Sequence, residues 1–261
     1  MKQARGIQLD AVIDDLNTPV CLFHEGARAV YWLGVPEDAA FRCNVYLLTD
    51  GDAGYLIDPG SRYSFDLIYR RVEQVMPASQ VEGLVLSHQD PDVAASMVLW
   101  LERFPDTPVI ASPRTHVLLP HYGITDYRAY DTEAHPTLTL PSGNALRFIA
   151  APFLHFPGAI ATYDEASHFL FSGDIWAALD MDWQLKVTSF EEHAAKMDLF
   201  NTEYMASNVA ARGFVRQIEG LPIHAILPQH GSVLGLEHVT PALEYLRTLR
   251  CGTDLIYPDL G

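Results

Sequence analysis

The stretch Ser87-His88-Gln89-Asp90-Pro91-Asp92 places one imidazole and two carboxylates at alternate positions, directly after the apolar run 84–86. Alternate residues of an extended segment lie on one side of the chain, so His88, Asp90 and Asp92 would face one site. Imidazole nitrogens and carboxylate oxygens are ligands for transition metals. The stretch therefore predicts metal binding at the end of a strand. A surface turn or an aspartate helix N-cap is the alternative interpretation.

Three more candidate ligands stand at the ends of apolar runs. They are His155 after residues 150–154, Asp174 after 169–171 and His230 after 225–228. Each alone has an ordinary explanation, a turn aspartate or a hydrogen-bonded core histidine, but together the six residues predict a site for two metal ions. A carboxylate such as Asp174 has two oxygens and could bridge them. Among the other histidines, only His24 is a further candidate, from an early loop.

The charge of this ligand set bears on the metal. Three aspartates carry three negative charges and neutral histidines none, so two divalent ions and a bridging hydroxide would make the site neutral. A carboxylate-rich set suits iron at least as well as zinc. We expect no cysteine near these motifs, which argues against an iron–sulfur cluster or structural zinc.

The composition indicates one domain spanning residues 1–261. The apolar residues make up 49% of the 261 and are spread evenly, and no linker-like tract divides the chain. A formal net charge of −16 argues against nucleic-acid binding, which needs clustered Lys and Arg. No apolar run approaches the roughly 18 residues of a membrane span, and the N-terminus lacks a signal pattern. With three scattered cysteines, Cys21, Cys43 and Cys251, we expect a cytoplasmic protein with reduced thiols.

The order of elements predicts an α+β fold. Short β-prone runs predict strands at 18–23, 29–33, 43–49, 54–57, 83–86, 108–110, 138–140, 146–150, 159–163, 168–171 and 223–227. Helical spacing of apolar residues predicts helices at 64–75, 93–104, 190–211 and 239–249. Many strands followed by helix, strand and helix occur twice, which indicates two packed sheets with helices outside. Residues 112–130 have no clear pattern.

These motifs resemble the metallo-β-lactamase fold, and within it the diiron domain of flavodiiron proteins and their stand-alone relatives, the oxygen-binding diiron proteins. The resemblance runs from about residue 42 to residue 230. It rests on the segments Asn44-Val45-Tyr46-Leu47-Leu48, Leu56-Ile57-Asp58-Pro59-Gly60, the His88 stretch, Leu154-His155-Phe156-Pro157, Phe171-Ser172-Gly173-Asp174 and Pro228-Gln229-His230-Gly231. It implies a four-layer αββα sandwich, the metallo-β-lactamase-like fold, with the site at the edge between the sheets.

Residue by residue, the resemblance implies one iron held by His88, Asp90, His155 and Asp174. The second iron would be held by Asp92, Asp174 and His230, with a position open for a small ligand. Hydrolytic members carry His-x-His-x-Asp-His, where this chain has Asp90 at the second position and Val93 at the last. Val93 cannot bind metal, which weighs against zinc hydrolysis. Asp90 stands where the diiron group usually has Glu.

The implied function is binding or reduction of O2 or NO, as a sensor or as an oxidoreductase with electrons from a separate redox or signalling partner. No FMN is expected in this chain, because it has no Gly-rich phosphate loop. The alternatives are a Zn- or Mn-dependent metallo-hydrolase and a catalytically idle interaction module that relays metal or redox state. Family analogy makes a homodimer plausible.

Aromatic residues near the motifs could exclude water from a bound ligand. They are Phe153, Phe156, Tyr163 and Trp176, although core packing is the ordinary role of each. Tyr163 is also a candidate catalytic residue, and Tyr163 and Tyr204 could contact the ligands. Residues 112–138 and 178–188 are expected to shape access to the site.

Overall fold

The computed structural model describes residues 16–34 and 41–259. Its first sheet has the order β1-β2-β3-β4-β5-β6-β7. The strands are β1 (Val20–Glu25), β2 (Arg28–Trp32), β3 (Tyr46–Asp50), β4 (Ala53–Ile57), β5 (Val81–Val85), β6 (Val109–Ala111) and β7 (Ala129–Asp131). Strands β1 to β4 form an antiparallel meander, and β4 to β7 are parallel. A turn at Gly51 joins β3 to β4.

The second sheet has the order β13-β12-β11-β10-β9-β8. Its strands are β8 (Thr137–Thr139), β9 (Ala145–Ala150), β10 (Ile160–Asp164), β11 (Phe169–Gly173), β12 (Ala225–Pro228) and β13 (Leu234–Gly235). Strands β10 and β11 form an antiparallel hairpin, and β12 adds to β11 in parallel. The carboxyl ends of β11 and β12 therefore lie at the same edge.

Helices follow the strands in both halves. They are α1 (Phe65–Val75), α2 (Pro91–Ala94), α3 (Met97–Arg103), α4 (Pro113–Leu118), α5 (Phe190–Tyr204), α6 (Asn208–Ile218), α7 (Leu236–Thr248) and α8 (Thr253–Ile256). Within residues 16–34 and 41–259, none of them is long and apolar enough to cross a membrane.

Three apolar cores divide the molecule into four layers. One core packs α1 and α3 on the first sheet, with Ile68 and Trp100 buried there. The middle core, including Phe169, fills the space between the sheets. The third packs α5, α6 and α7 on the second sheet, around Phe214 and Leu246. The predicted αββα sandwich is confirmed.

Two helices predicted as continuous are interrupted. The prediction of one continuous helix over residues 190–211 is wrong. Met205 has an extended backbone and ends α5. Ser207 is the N-cap of α6, and its Oγ accepts a hydrogen bond from the Ala210 N–H. The segment 93–104 also divides, between α2 and α3. Ser96 lies at that break and donates its Oγ–H to the Pro59 carbonyl at 2.9 Å. Local polar contacts override the apolar periodicity in both places.

A buried ion pair links the two sheets at the end remote from the predicted ligands. Arg28 on β2 contacts Asp50 on β3 at 3.3 Å and also Asp164 on β10, across the sandwich. Asp50 accepts a further hydrogen bond from the Ser142 N–H at 2.8 Å. One guanidinium thus faces two buried carboxylates, and backbone N–H donors stabilise the remaining negative charge, as burial of a charge requires.

The middle core predicts a large effect of one substitution. Phe169 is fully buried and packs edge-on against Phe23, with ring centroids 5.8 Å apart. We expect Phe169→Ala to lower the free energy of unfolding of the metal-free protein by about 3–5 kcal/mol, measured by urea denaturation. The control Val117→Ala, at a residue that is 71% exposed, should change it by less than about 0.5 kcal/mol. Equal effects of the two substitutions would contradict this assignment of the core.

Candidate metal centre

All six predicted ligands lie at one edge of the sandwich. After β5 of the first sheet, the loop carries His88 and Asp90, and Asp92 follows in the first turn of α2. The loops after β9, β11 and β12 carry His155, Asp174 and His230 from the second. Backbone hydrogen bonds join the sheets here: the Ile160 N–H donates to the Ser87 carbonyl at 2.9 Å, and the Asn44 N–H to the Gln229 carbonyl at 2.6 Å. The structure thus brings together residues up to 142 positions apart.

The first ligand cluster consists of His88, Asp90 and His155 around one oxygen of Asp174. His155 Nε2 lies 2.8 Å from Asp174 Oδ2 and 3.4 Å from Asp90 Oδ2. His88 Nε2 lies 3.4 Å from Asp174 Oδ2 and 3.6 Å from Asp90 Oδ2. Two imidazole nitrogens and two carboxylate oxygens therefore converge on one point.

The second ligand cluster lies on the other side of Asp174. His230 Nε2 is 3.2 Å from Asp92 Oδ2 and 3.7 Å from Asp174 Oδ1. Asp174 Oδ1 is buried and has no hydrogen-bond partner among the described residues. A buried anionic oxygen without a donor is costly. A cation between Asp174, Asp92 and His230 would remove that cost, so the donor set fits two metal ions bridged by Asp174.

Asp90 occupies the N-cap position of α2, but its side chain makes no capping hydrogen bond within the described residues. Its Oδ1 instead accepts a hydrogen bond from Gln89 Nε2 at 2.6 Å, and its Oδ2 faces the two histidines. The alternative interpretation of this stretch as a capped helix start therefore does not describe the Asp90 side chain.

The histidines are oriented by contacts on their second ring nitrogen. His230 Nδ1–H donates to the Arg42 carbonyl at 2.9 Å. His88 Nδ1 hydrogen-bonds Ser87 Oγ at 2.9 Å. Because a carbonyl only accepts, the first contact places a proton on His230 Nδ1 and leaves Nε2 as the atom that faces Asp92 and Asp174 and could bind a metal. Such support on the outer nitrogen is typical of metal-binding histidines.

Asp58 and Gly173 hold the Ser87 backbone in place. Asp58 Oδ1 accepts a hydrogen bond from the Ser87 N–H at 2.8 Å, and burial raises the pKa of Asp58 to about 6. Gly173 has a left-handed φ of +57°, and a Cβ there would lie 2.9 Å from Ser87 Cβ. The absence of a side chain at 173 therefore lets the two strand ends approach.

The electrostatics of the cluster keep its carboxylates ionised. Burial acts to raise the pKa of Asp174, but the opposite charge of His88 and hydrogen bonds from His155 hold it well below its usual value. The pKa of Asp90 and that of Asp92 are also lowered by the facing histidines, against the effect of burial. Burial lowers the pKa of His155, but hydrogen bonds to Asp174 and Asp90 outweigh it and raise it to about 9.

Tyr163 is the predicted site residue that the structure does not bring to the cluster. Its hydroxyl donates to the Pro222 carbonyl at 3.0 Å and lies 2.7 Å from His168 Nδ1. The two sheets meet beside the site at Ile160, at one end of β10. Both Tyr163 contacts lie at the other end of this strand. Sequence proximity to His155 did not reveal that β10 runs away from the cluster, so the structure does not add Tyr163 to the ligands it brings together.

Trp176 and His24 were also predicted contributors. Trp176 is buried in the core of the second sheet, where its Nε1–H donates to the Ala242 carbonyl at 2.8 Å. His24 is exposed and pairs with Ala29 in the hairpin of β1 and β2, at the end of the first sheet that holds Arg28. The hairpin therefore holds His24 away from the ligands.

Among the described residues, three aromatic rings line the ligand histidines, and only Tyr204 among the three was predicted from the sequence to contact the ligands. The rings of Tyr204 and Phe200 each meet the His155 ring edge-on, with centroids 5.9 Å apart. The Phe41 ring lies 4.0 Å from the His230 ring. Phe41 and Phe200 escaped prediction because no motif surrounds them.

Cys43 lies beside the second ligand cluster, so the expectation of no cysteine near the motifs was wrong. Its Sγ is 3.6 Å from Asp92 Oδ2. An isolated antiparallel bridge pairs Cys43 with His230, which is 187 residues later in the chain. The available signal was the proximity of Cys43 to the Asn44-Val45-Tyr46 motif.

The requirement for glycine at 173 is testable against a matched position. Gly26 has a similar φ of +61°, but a Cβ there meets nothing within 4 Å. We expect each alanine substitution to cost about 1–2 kcal/mol of unfolding free energy for left-handed backbone. Gly173→Ala should cost about 1–3 kcal/mol more, because it displaces Ser87. Urea denaturation of both variants measures the difference, and equal losses would show that Gly173 is not packed against Ser87.

Comparison with known proteins agrees with this fold. The family model described as ODP family beta lactamase matches residues 41–231. The apo state of the chemotaxis sensor ODP from T. denticola is 32% identical, with a TM-score of 0.81, over 92% of this chain and 98% of that chain. A structure described as the peroxy diiron species of chemotaxis sensor ODP has the same identity and a TM-score of 0.82, covering 99% of that chain.

Curated relatives are flavodiiron proteins. Flavo-diiron protein FprA2 of Clostridium acetobutylicum is 31% identical over 134 residues, which is 50% of this chain and 33% of that protein. The anaerobic nitric oxide reductase flavorubredoxin of Aliivibrio salmonicida is 23% identical over 161 residues, 61% of this chain and 29% of that protein. The chain thus spans about a third of the length of these two relatives. From its match over residues 41–231, this chain belongs to the ODP family of beta-lactamase-like proteins.

Proposed function

We propose that this chain holds two iron ions at the candidate metal centre and binds O2 or NO there. The observation that carries the proposal is the placement of Asp174, whose Oδ2 faces His88 and His155 while its Oδ1 faces His230. One carboxylate between two donor clusters is an arrangement for two ions. Two ferrous ions would supply the electrons that pass to O2 or NO.

The donor types favour iron. In the first cluster, His88, Asp90, His155 and Asp174 would hold one ion through nitrogen and oxygen atoms. Asp92, Asp174 and His230 would hold the other. Iron accepts this mixture of imidazole and carboxylate. The relatives described as a peroxy diiron species and as flavo-diiron protein support the same metal.

Sensing is the better-supported use of the site. The match to a chemotaxis sensor extends over nearly the whole of both chains at 32% identity, whereas the flavodiiron matches are partial. Reduction of O2 or NO would need a redox protein partner as electron donor. A sensor would instead convey the state of the site to a signalling partner.

The rings around the site suit a small apolar ligand. Phe200 and Tyr204 stack with centroids 4.4 Å apart and cover one side of His155. Phe41 covers His230. Asp92 stays 29% exposed beside these rings, so the site is open to a ligand from solvent. Apolar rings beside the histidines favour an apolar ligand such as O2 or NO over a charged phosphoester.

The hydrolase alternative finds less support. Val93 is fully buried in the core of the first sheet, so the position at which hydrolytic members carry a histidine provides no ligand. The comparisons also favour diiron proteins over hydrolases. A metal-activated hydroxide acting on an ester remains the testable competitor.

Metal analysis with spectroscopy tests the proposal. Protein loaded with ferrous iron without oxygen should hold about two iron ions per chain, as a two-metal site requires. Exposure to air should produce a near-ultraviolet absorption band that bleaches on reduction and returns in air. Zinc retention with a featureless spectrum and turnover of model esters would instead support the hydrolase.

Asp174→Ala tests the shared position of that carboxylate. Removing a bridging ligand weakens the binding of both ions. We therefore expect the iron content to fall well below one ion per chain and the air-dependent absorption band to be lost. Asp52→Ala, at an exposed aspartate of the β3–β4 turn, is the matched control and should keep full iron content. Retention of one tightly bound iron by Asp174→Ala would mean that Asp174 serves only one ion.

Metal affinity should rise with pH. A histidine must lose its proton to bind metal, and the pKa of His155 in the metal-free protein is raised to about 9. Protons therefore compete with metal from the ordinary histidine pKa of about 6.5 up to about 9, and affinity should increase across that window. Cobalt(II) titrations at several pH values measure this. An affinity that is constant between those limits would contradict the raised pKa, and His24→Gln should follow the wild-type curve.

A further inference from the structure

Cys43 lies within coordinating distance of the second ligand cluster. Its Sγ, one carboxylate oxygen of Asp92 and one ring nitrogen of His230 all lie within 4.8 Å of one another. Cys43 is 9% exposed and Asp92 Oδ2 is 3.6 Å from the sulfur. Three different donor atoms thus surround one point beside Asp174.

The backbone fixes this position of the thiol. Cys43 pairs with His230 in an isolated antiparallel bridge. On one side, the Arg42 carbonyl accepts the His230 Nδ1–H, and on the other the Asn44 N–H donates to the Gln229 carbonyl at 2.6 Å. The segment that carries the sulfur is therefore the same one that orients the histidine.

The second cluster has fewer donors than the first. The first contains two histidines and Asp90 in addition to Asp174, while the second contains His230 and Asp92. Val93, the residue next to Asp92, packs into the core of the first sheet. The buried Asp174 Oδ1 is directed at this cluster and lacks a hydrogen-bond partner among the described residues, which indicates a cation there.

We propose that Cys43 Sγ is a ligand of the metal ion in the second cluster, beside His230, Asp92 and Asp174. The inference rests on the proposed function, because it assumes an ion at that place. When the metal–sulfur bond forms, the thiol releases its proton to solvent, and no electron is transferred. One thiolate and three aspartates then carry four negative charges, which two divalent ions balance in full.

Thiolate ligation makes the two metal positions chemically different. The first cluster offers nitrogen and oxygen only, and the second adds a soft sulfur donor that favours softer ions. The sulfur also provides a spectroscopic marker, because a thiolate bound to cobalt(II) gives an intense near-ultraviolet charge-transfer band. Nitrogen and oxygen ligands do not give that band.

An anaerobic cobalt(II) titration tests the proposal. We expect the charge-transfer band to appear in the wild type as cobalt binds, and to be lost in Cys43→Ser and Cys43→Ala. The control is Cys21→Ser, since the Cys21 thiol donates to the Phe23 carbonyl in β1 and should not reach the metal. Cys21→Ser should therefore keep the band.

Alkylation of the wild type gives a second readout that needs no variant to fold. Cobalt should slow the modification of Cys43 by iodoacetamide at least about tenfold, the ratio expected if fewer than a tenth of the thiols are unbound. Modification of Cys21, followed by mass spectrometry in the same sample, should be unchanged. Equal rates at Cys43 with and without cobalt would overturn the proposal.

The failure of this inference is separable from failure of the proposed function. Binding of two cobalt ions per chain without the band would remove Cys43 from the ligand set and leave the two-metal site intact. Absence of cobalt binding by the wild type would overturn both. A band that persists in Cys43→Ala would assign the thiolate to another cysteine and would also overturn the inference.

Discussion

The carboxylate of Asp174 is a buried charge, and the arrangement of the site follows from the need to compensate it. Burial alone would favour the neutral acid. Histidines approach it from both sides, so the pKa of Asp174 stays far below its usual value. One oxygen is fully engaged by His88 and His155, and the other lacks a donor among the described residues. The site is therefore electrostatically incomplete on one side.

That compensation requires both sheets. His88 belongs to the first sheet, while Asp174 and His230 belong to the second, so the strand ends must meet closely. The hydrogen bond from Ile160 to Ser87 joins them, and a left-handed Gly173 allows the contact. The outer helices do not join the sheets at the site; they bury the outer faces of the two sheets.

The ligands were predictable because each follows an apolar run, and strand ends in such folds converge at one edge. Cys43, Phe41 and Phe200 were not predictable in the same way, since their place depends on the pairing of distant segments. Tyr163 is the opposite case, because it lies near a motif in the sequence but its position on β10 places it away from the ligands. The helix break at Met205 could not be predicted, because the spacing of apolar residues stays compatible with a helix across it.

The Arg28 ion pair has a consequence for the order of assembly. It joins β2 and β3 to β10 with charges that belong to the chain itself, at the end of the sandwich opposite the ligands. The apolar layer between the sheets joins the rest. The polypeptide can therefore reach its shape before any ion arrives, unlike small zinc domains that fold only on loading. Under the proposed function, metal ions would enter an already folded scaffold, and chelation should remove them without unfolding the chain.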